Sequence, residues 1–175
     1  MILVFSQLSA ETVRLGAFCD YFTPKDPLIQ EVYGANGDIL YGLRLNVMVY
    51  RGLAVSISYG QFKKTSNTTE LDDLTRLTLN PLTIGVRYTP MLGKVNPFVE
   101  LAYVNLSFKE ESDIGNSSGK QNGWSILGGV EFLISERFGI SLDIKTQDID
   151  GPKGSNNEPV NFKGLSGGLS FFVRI

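Results

Sequence analysis

Ile39-Leu40-Tyr41-Gly42-Leu43-Arg44-Leu45-Asn46-Val47-Met48-Val49 places an apolar side chain at every odd position, while its even positions include Gly42, Arg44 and Asn46. Successive strand side chains point to opposite faces, so this stretch reads as a strand with one greasy face and one polar face. The same stride of two recurs along the chain. With its Gly, Pro and Asn punctuation it predicts eight strands, near residues 12–22, 37–50, 53–62, 75–89, 97–108, 122–134, 138–148 and 162–175.

The polar face carries Arg14, Asp20, Arg44, Arg87, Glu100, Glu131, Asp143, Lys145 and Arg174, and the greasy face carries almost no charge. A soluble barrel turns its greasy face inward; a barrel in lipid turns it outward and keeps the polar face for the lumen. Alternation alone admits both. A soluble lipocalin-like carrier puts Leu43, Leu45, Val55 and Ile57 around the barrel axis, whereas a membrane barrel puts them against acyl chains.

Connection lengths separate the two. Residues 23–36, 63–74, 109–121 and 149–161 form long polar connections after the first, third, fifth and seventh segments. The others are short, built around Arg51-Gly52, residues 90–96 and Ser135-Glu136-Arg137. Long loops at one end and short turns at the other belong to a membrane barrel with an even number of antiparallel strands. Aromatic residues at segment ends, among them Tyr21, Tyr41, Tyr59, Tyr88, Tyr103, Trp124 and Phe138, suit the two membrane interfaces. One segment changes phase: Leu77 and Leu79 are odd, whereas Leu82, Ile84 and Val86 are even. Asn80-Pro81 falls at the change, which predicts a β-bulge there.

Composition narrows the function classes. The 175 residues suit one domain, and the 42% hydrophobic content contains no run near the roughly 18 apolar residues of a membrane helix. Strands that cross a bilayer leave mean hydropathy low, here +0.02, because alternation dilutes it. A net charge of −2 provides no basic face for nucleic acid. The absence of histidine removes the commonest general base, metal ligand and pH switch, so neither an enzyme nor a cofactor or metal site is expected. Cys19, the only cysteine, reads as a small hydrophobe. The carboxylate pairs Asp72-Asp73 and Glu110-Glu111 fall in predicted loops and read as solvated charges. Residues 1–10 resemble the end of a signal peptide with a small-residue cleavage zone, which leaves residues 11–175 as the barrel domain.

The last segment, Gly164-Leu-Ser-Gly-Gly-Leu-Ser-Phe-Phe-Val-Arg-Ile175, resembles the C-terminal strand of bacterial outer-membrane barrels, with Phe171, Val173 and Ile175 at the alternate positions read by the insertion machinery. The family usually ends in Phe or Tyr; this chain ends in Ile175. Pro81-Leu-Thr-Ile-Gly-Val-Arg-Tyr88, Asn96-Pro-Phe-Val-Glu-Leu-Ala-Tyr103 and Gly128-Gly-Val-Glu-Phe132 are similar to the small eight-stranded barrels related to OmpA, OmpX and OmpW. The resemblance implies an all-β, eight-stranded antiparallel up-and-down transmembrane β-barrel with long extracellular loops and short periplasmic turns. It further implies a bacterial outer-membrane location, a monomer, and contact with outer-membrane lipid and lipopolysaccharide.

Eight strands enclose room for side chains or one small ligand. A lumenal charge cluster is therefore expected, with Glu100 and Glu131 neutralised by Arg87, Arg14 and Arg174, and with Asp20, Arg44, Asp143 and Lys145 in a second layer above. The leading function is a structural or surface-interaction barrel with a side-chain-filled lumen. The alternative is a narrow channel or binding barrel for a small hydrophobic compound, lined by Phe18, Leu40, Met48, Val104, Leu106 and Phe108.

Overall fold

Eight strands pair in chain order and close on themselves. They are β1 (Val13–Pro24), β2 (Asp38–Tyr50), β3 (Leu53–Thr68), β4 (Asp73–Tyr88), β5 (Val95–Ser112), β6 (Gly115–Leu133), β7 (Phe138–Ile149) and β8 (Gly164–Arg174), and a helix, α1 (Pro27–Tyr33), follows β1. Every neighbouring pair is antiparallel, including β1 with β8. The computed structural model describes residues 13–68, 73–90, 92–112, 115–151 and 161–175. Residues 1–10, read as a signal-peptide remnant, lie outside the described residues, as does Asp72.

Stepping across partners from Val13 through Val47, Val55, Val86, Leu101, Ile126, Thr146 and Leu165 returns to β1 at Thr23, ten residues farther on. That stagger requires strands tilted by about 40° to the barrel axis. Outward-facing Val95 to Tyr103 on β5 then spans about 20 Å of height at ~3.3 Å per residue, near the apolar band of a membrane barrel.

The orientation is the membrane one. Leu43 is 61% exposed, and Leu142 and Ile84 are each 52% exposed. Arg44, Arg87, Glu100, Glu131 and Asp143 are buried. Leu45 is half-buried on the same outward face, and Val55 and Ile57 are exposed, which overturns the soluble carrier.

The short turns close the lower end. Arg51 and Gly52 both have positive φ, 34° and 86°, the backbone of a two-residue hairpin turn that keeps the twist of its strands. A Cβ on Gly52 would stand 2.4 Å from the Thr89 carbonyl oxygen, so glycine is required there. Between Pro90 and Val95, the Leu92 N–H donates to Asn96 Oδ1 at 2.7 Å, and Asn96 Nδ2 donates to the Gly93 carbonyl at 2.9 Å.

The bulge expected at Asn80-Pro81 is absent. Partner numbering is constant along β3–β4 and β4–β5, and burial alternates without a break from Thr75 through Tyr88. Pro81 only interrupts the ladder, leaving the positions opposite Gly60 and Gln61 unpaired in β3–β4. Leu77 and Leu79 face the lumen, where the upper filling is apolar. The real irregularity lies in β2, between Met48 and Tyr50.

Strands β3 to β6 continue past the apolar band as a four-stranded blade. Pairing of β5 with β6 reaches Ser112 and Gly115, whereas β6 pairs with β7 only as far as Gly123. The predicted connections 63–74 and 109–121 are therefore largely strand, and Glu110 and Glu111 stand on β5. Outside lipid, water solvates either face, so alternation stops while pairing continues.

The predicted loop 23–36 contains α1. Asp26 caps it: the Ile29 N–H donates to Asp26 Oδ1 at 3.4 Å, and Pro27 begins the helix. Gly34, with φ of 79°, ends it. Asp26 Oδ2 also accepts from the Asn161 N–H at 2.8 Å, tying α1 to the segment leading into β8.

Candidate functional site

The lumen has two fillings. In the lower half, Glu131 Oε2 accepts from Arg14 Nη1 at 2.7 Å, and Glu131 Oε1 accepts from Arg87 Nη2 at 2.6 Å. Arg87 Nη1 lies 3.7 Å from Glu100 Oε2, and the Arg87 guanidinium stands 3.4 Å over the Phe98 ring. These groups come from β1, β4, β5 and β6. Each ion has a counter-ion, and Arg87 adds an aromatic face, which is what makes burial of the set tolerable.

One layer higher, Arg44 Nη1 lies 3.4 Å from Asp143 Oδ2, which also accepts from Ser170 Oγ at 3.2 Å. Asp20 and Lys145 are buried in the same layer, near Arg44 and Asp143. Arg174 is buried opposite Arg14 in the β1–β8 register. Direct contacts therefore join Arg14, Arg87, Glu100 and Glu131, and separately Arg44 and Asp143.

Above the ions the filling turns apolar. Phe18, Phe22, Leu40, Phe62, Leu77, Leu79, Val104, Leu106, Phe108, Ile149 and Phe162 form one buried cluster with Ile29 and Tyr33 of α1. Phe22 meets Phe62 edge-on at 5.3 Å, and Phe108 meets Phe162 at the same separation. Five of the six residues expected to line a ligand cavity, Phe18, Leu40, Val104, Leu106 and Phe108, belong to this plug, and Met48 lies lower.

Helix α1 lies over the plug, and Tyr33 Oη donates to Glu110 Oε1 at 2.5 Å. Burial and this carboxylate raise the Tyr33 phenol above its ordinary value. Lys64 of β3 donates to the Asn36 carbonyl, holding the end of the same connection. Neither contact was expected from the sequence, although Asp26-Pro27 with Gly34 carried a helix-capping signal.

The outer wall changes at the top of the apolar band. Tyr41 Oη donates to Gln61 Oε1 at 2.8 Å, and Gln61 Nε2 donates to Asn80 Oδ1 at 3.3 Å. Below this chain lies an open groove of about 430 Å³ lined by Ala17, Leu43, Tyr59 and the backbone-paired Gly42 and Gly60. Above it, Lys63, Thr78 and Lys109 are consecutive partners across β3, β4 and β5. Lys109 donates to Glu111 and holds that carboxyl below its usual range.

At the C-terminus, Phe171, Val173 and Ile175 face outward, and the Ile175 N–H donates to the Val13 carbonyl at 2.9 Å.

A closed barrel with a greasy outer wall and an ionic lumen is the architecture of the outer membrane protein beta-barrel domain, a family matching residues 7–171. The chain belongs to this family. Its place is the outer membrane, so the long end of the barrel is extracellular and the short turns are periplasmic. Among solved structures, this outer-membrane barrel is similar to neisserial surface protein A, with a TM-score of 0.71 and 12% identity over 93% of this chain and 97% of that one. The N-terminal barrel domain of Pseudomonas aeruginosa OprF matches with a TM-score of 0.64 and 12% identity over 94% and 98%. Ail, the attachment invasion locus protein of Yersinia pestis, solved with the heparin analogue sucrose octasulfate, matches at 0.60 and 13% over 94% and 99%. At these identities the likeness is one of fold. No curated protein sequence matches the chain.

Proposed function

We propose that this protein is a closed-lumen barrel with a structural and surface-interaction role, exerted through its extracellular blade and α1. The observation that carries this reading is the filling of the tube: an ionic layer below and an apolar plug above, with α1 over the plug. Val104, Ile149, Phe62 and Leu106 are at most 1% exposed. Packing of this density in the upper lumen supports the closed reading over the channel or binding-barrel alternative.

In this reading the protein acts as a monomer without enzymatic activity, surrounded by outer-membrane lipid and lipopolysaccharide, and the insertion machinery reads Phe171, Val173 and Ile175. Planar-bilayer recording tests the closed lumen. The wild type shows no unitary conductance, and steady channel openings at moderate voltage overturn the reading. Adhesion of cells displaying the wild-type protein, against cells displaying a form with residues 115–119 replaced, tests the surface role.

A further inference from the structure

We propose that the outer wall across β2 to β5 binds one phosphate-bearing membrane lipid, its acyl chain in the Gly42–Gly60 groove and its phosphate at Thr78 between Lys63 and Lys109. The inference deepens the lipid contact of the reading above and does not depend on whether the lumen conducts.

The phosphate half rests on register. Thr78 pairs with Lys63 on one side and Lys109 on the other, and Arg76 and Asn80 flank it along β4. Strand side chains two apart share a face, so all five point outward from the barrel. Lys63, Arg76 and Lys109 are exposed. Among the described residues Glu111 is the one acid on this face of β3 to β5, paired with Arg76 in register and bonded to Lys109, so the described patch carries three cations to one anion on a chain of net charge −2. Cationic side chains that flank a hydroxyl and an amide fit a phosphate dianion.

The acyl half rests on the groove. Its floor is the row Phe18, Gly42 and Gly60, consecutive partners across three strands; Leu43 and Tyr59 wall its lower side. Tyr41 and Gln61 close the upper side, and Gln61 hands its hydrogen bond on to Asn80 beneath Thr78. The apolar slot and the cationic patch thus adjoin along β3, the slot ending at Gln61 and the patch beginning at Lys63, where the greasy wall ends. A soluble anion has no use for the slot, so the geometry favours a lipid.

The test is lipid retention. Protein folded in phosphatidylcholine nanodiscs containing diphosphoryl lipid A is extracted in mild detergent, and lipid A per barrel is counted by native mass spectrometry. Wild type retains about one; Lys63→Ala/Arg76→Ala/Lys109→Ala retains at least about tenfold less, since each near-surface cation contributes appreciably to anionic-lipid binding. Ala17→Leu, which fills the slot from the lipid side, lowers retention as well. Lys25→Ala/Lys163→Ala, on the other side of the barrel, leaves it unchanged. Wild-type retention in either the triple variant or Ala17→Leu overturns the proposal, as does an equal loss in the Lys25/Lys163 control. A soluble glucosamine bisphosphate that displaces lipid A mole for mole also overturns it, by assigning the patch to a free sugar phosphate. Heat-modifiable migration on gels confirms that each variant is folded.

Discussion

Arg87 and Glu131 stand on β4 and β6, two strands that do not pair, yet their side chains meet at 2.6 Å inside the lumen. Glu131 reaches Arg14 of β1 with its other oxygen. One carboxylate thus links distant parts of the wall through the interior.

Glu131→Ala leaves two buried guanidiniums short of a counter-ion and is expected to destabilise the barrel by about 3–5 kcal/mol. Glu100→Ala removes a looser contact of 3.7 Å and costs less. Urea unfolding in lipid vesicles, followed by the fluorescence of Trp124, orders the two; an equal loss would contradict the central role of Glu131.

Docking of α1 is expected to depend on alkaline pH. Burial and Glu110 raise the Tyr33 phenol above its ordinary value of 10.0, so the docked state favours the neutral form. The stabilisation is complete below pH 10 and is lost as pH rises through the folded value. Protection of the α1 amides against hydrogen exchange, taken relative to the base-catalysed rate of the free chain, should fall above pH 10, and Tyr33→Phe should remove that fall.

Two glycines should respond oppositely to alanine. A Cβ on Gly42 would stand 2.1 Å from the Tyr59 carbonyl oxygen and 2.7 Å from the Phe18 ring, whereas the nearest atom to a Cβ on Gly128 is 3.9 Å away. Gly42→Ala must shift backbone and is expected to lower folding yield and stability; Gly128→Ala should leave both near wild type. Parallel refolding of the two variants into detergent, scored by heat-modifiable migration, makes the comparison.

Val86→Arg places a cation on the lipid-facing wall, near the middle of the apolar band, and is expected to cost about 2–4 kcal/mol. Thr78→Arg, on the same face of β4 above the band, should cost far less. Equilibrium unfolding in vesicles distinguishes lipid contact from mere exposure.

The eight strands were legible because lipid on one side and packed ions on the other enforce a period of two, as in residues 39–49. Where that constraint ends, so does the signal. Residues 115–122 pair with β5 but carry polar or small side chains on both faces, and so resemble a loop. Leu77 and Leu79 suggested a bulge because an apolar residue was taken to face lipid, whereas here both face an apolar plug. The lumenal charges were readable as a set from their phase, and the neighbours Arg87 and Glu100 from register. The hub at Glu131 depends on barrel curvature bringing β1, β4 and β6 together, which no local pattern encodes.

Closure of the tube falls to β1 and β8, and even the Ile175 amide is bonded to Val13. A chain halted before residue 164 is an open sheet with two raw margins, each able to template misassembly. Contacts of such long sequence separation also form slowly. Biogenesis must therefore deliver the polypeptide whole, because both margins stay open until the last strand arrives.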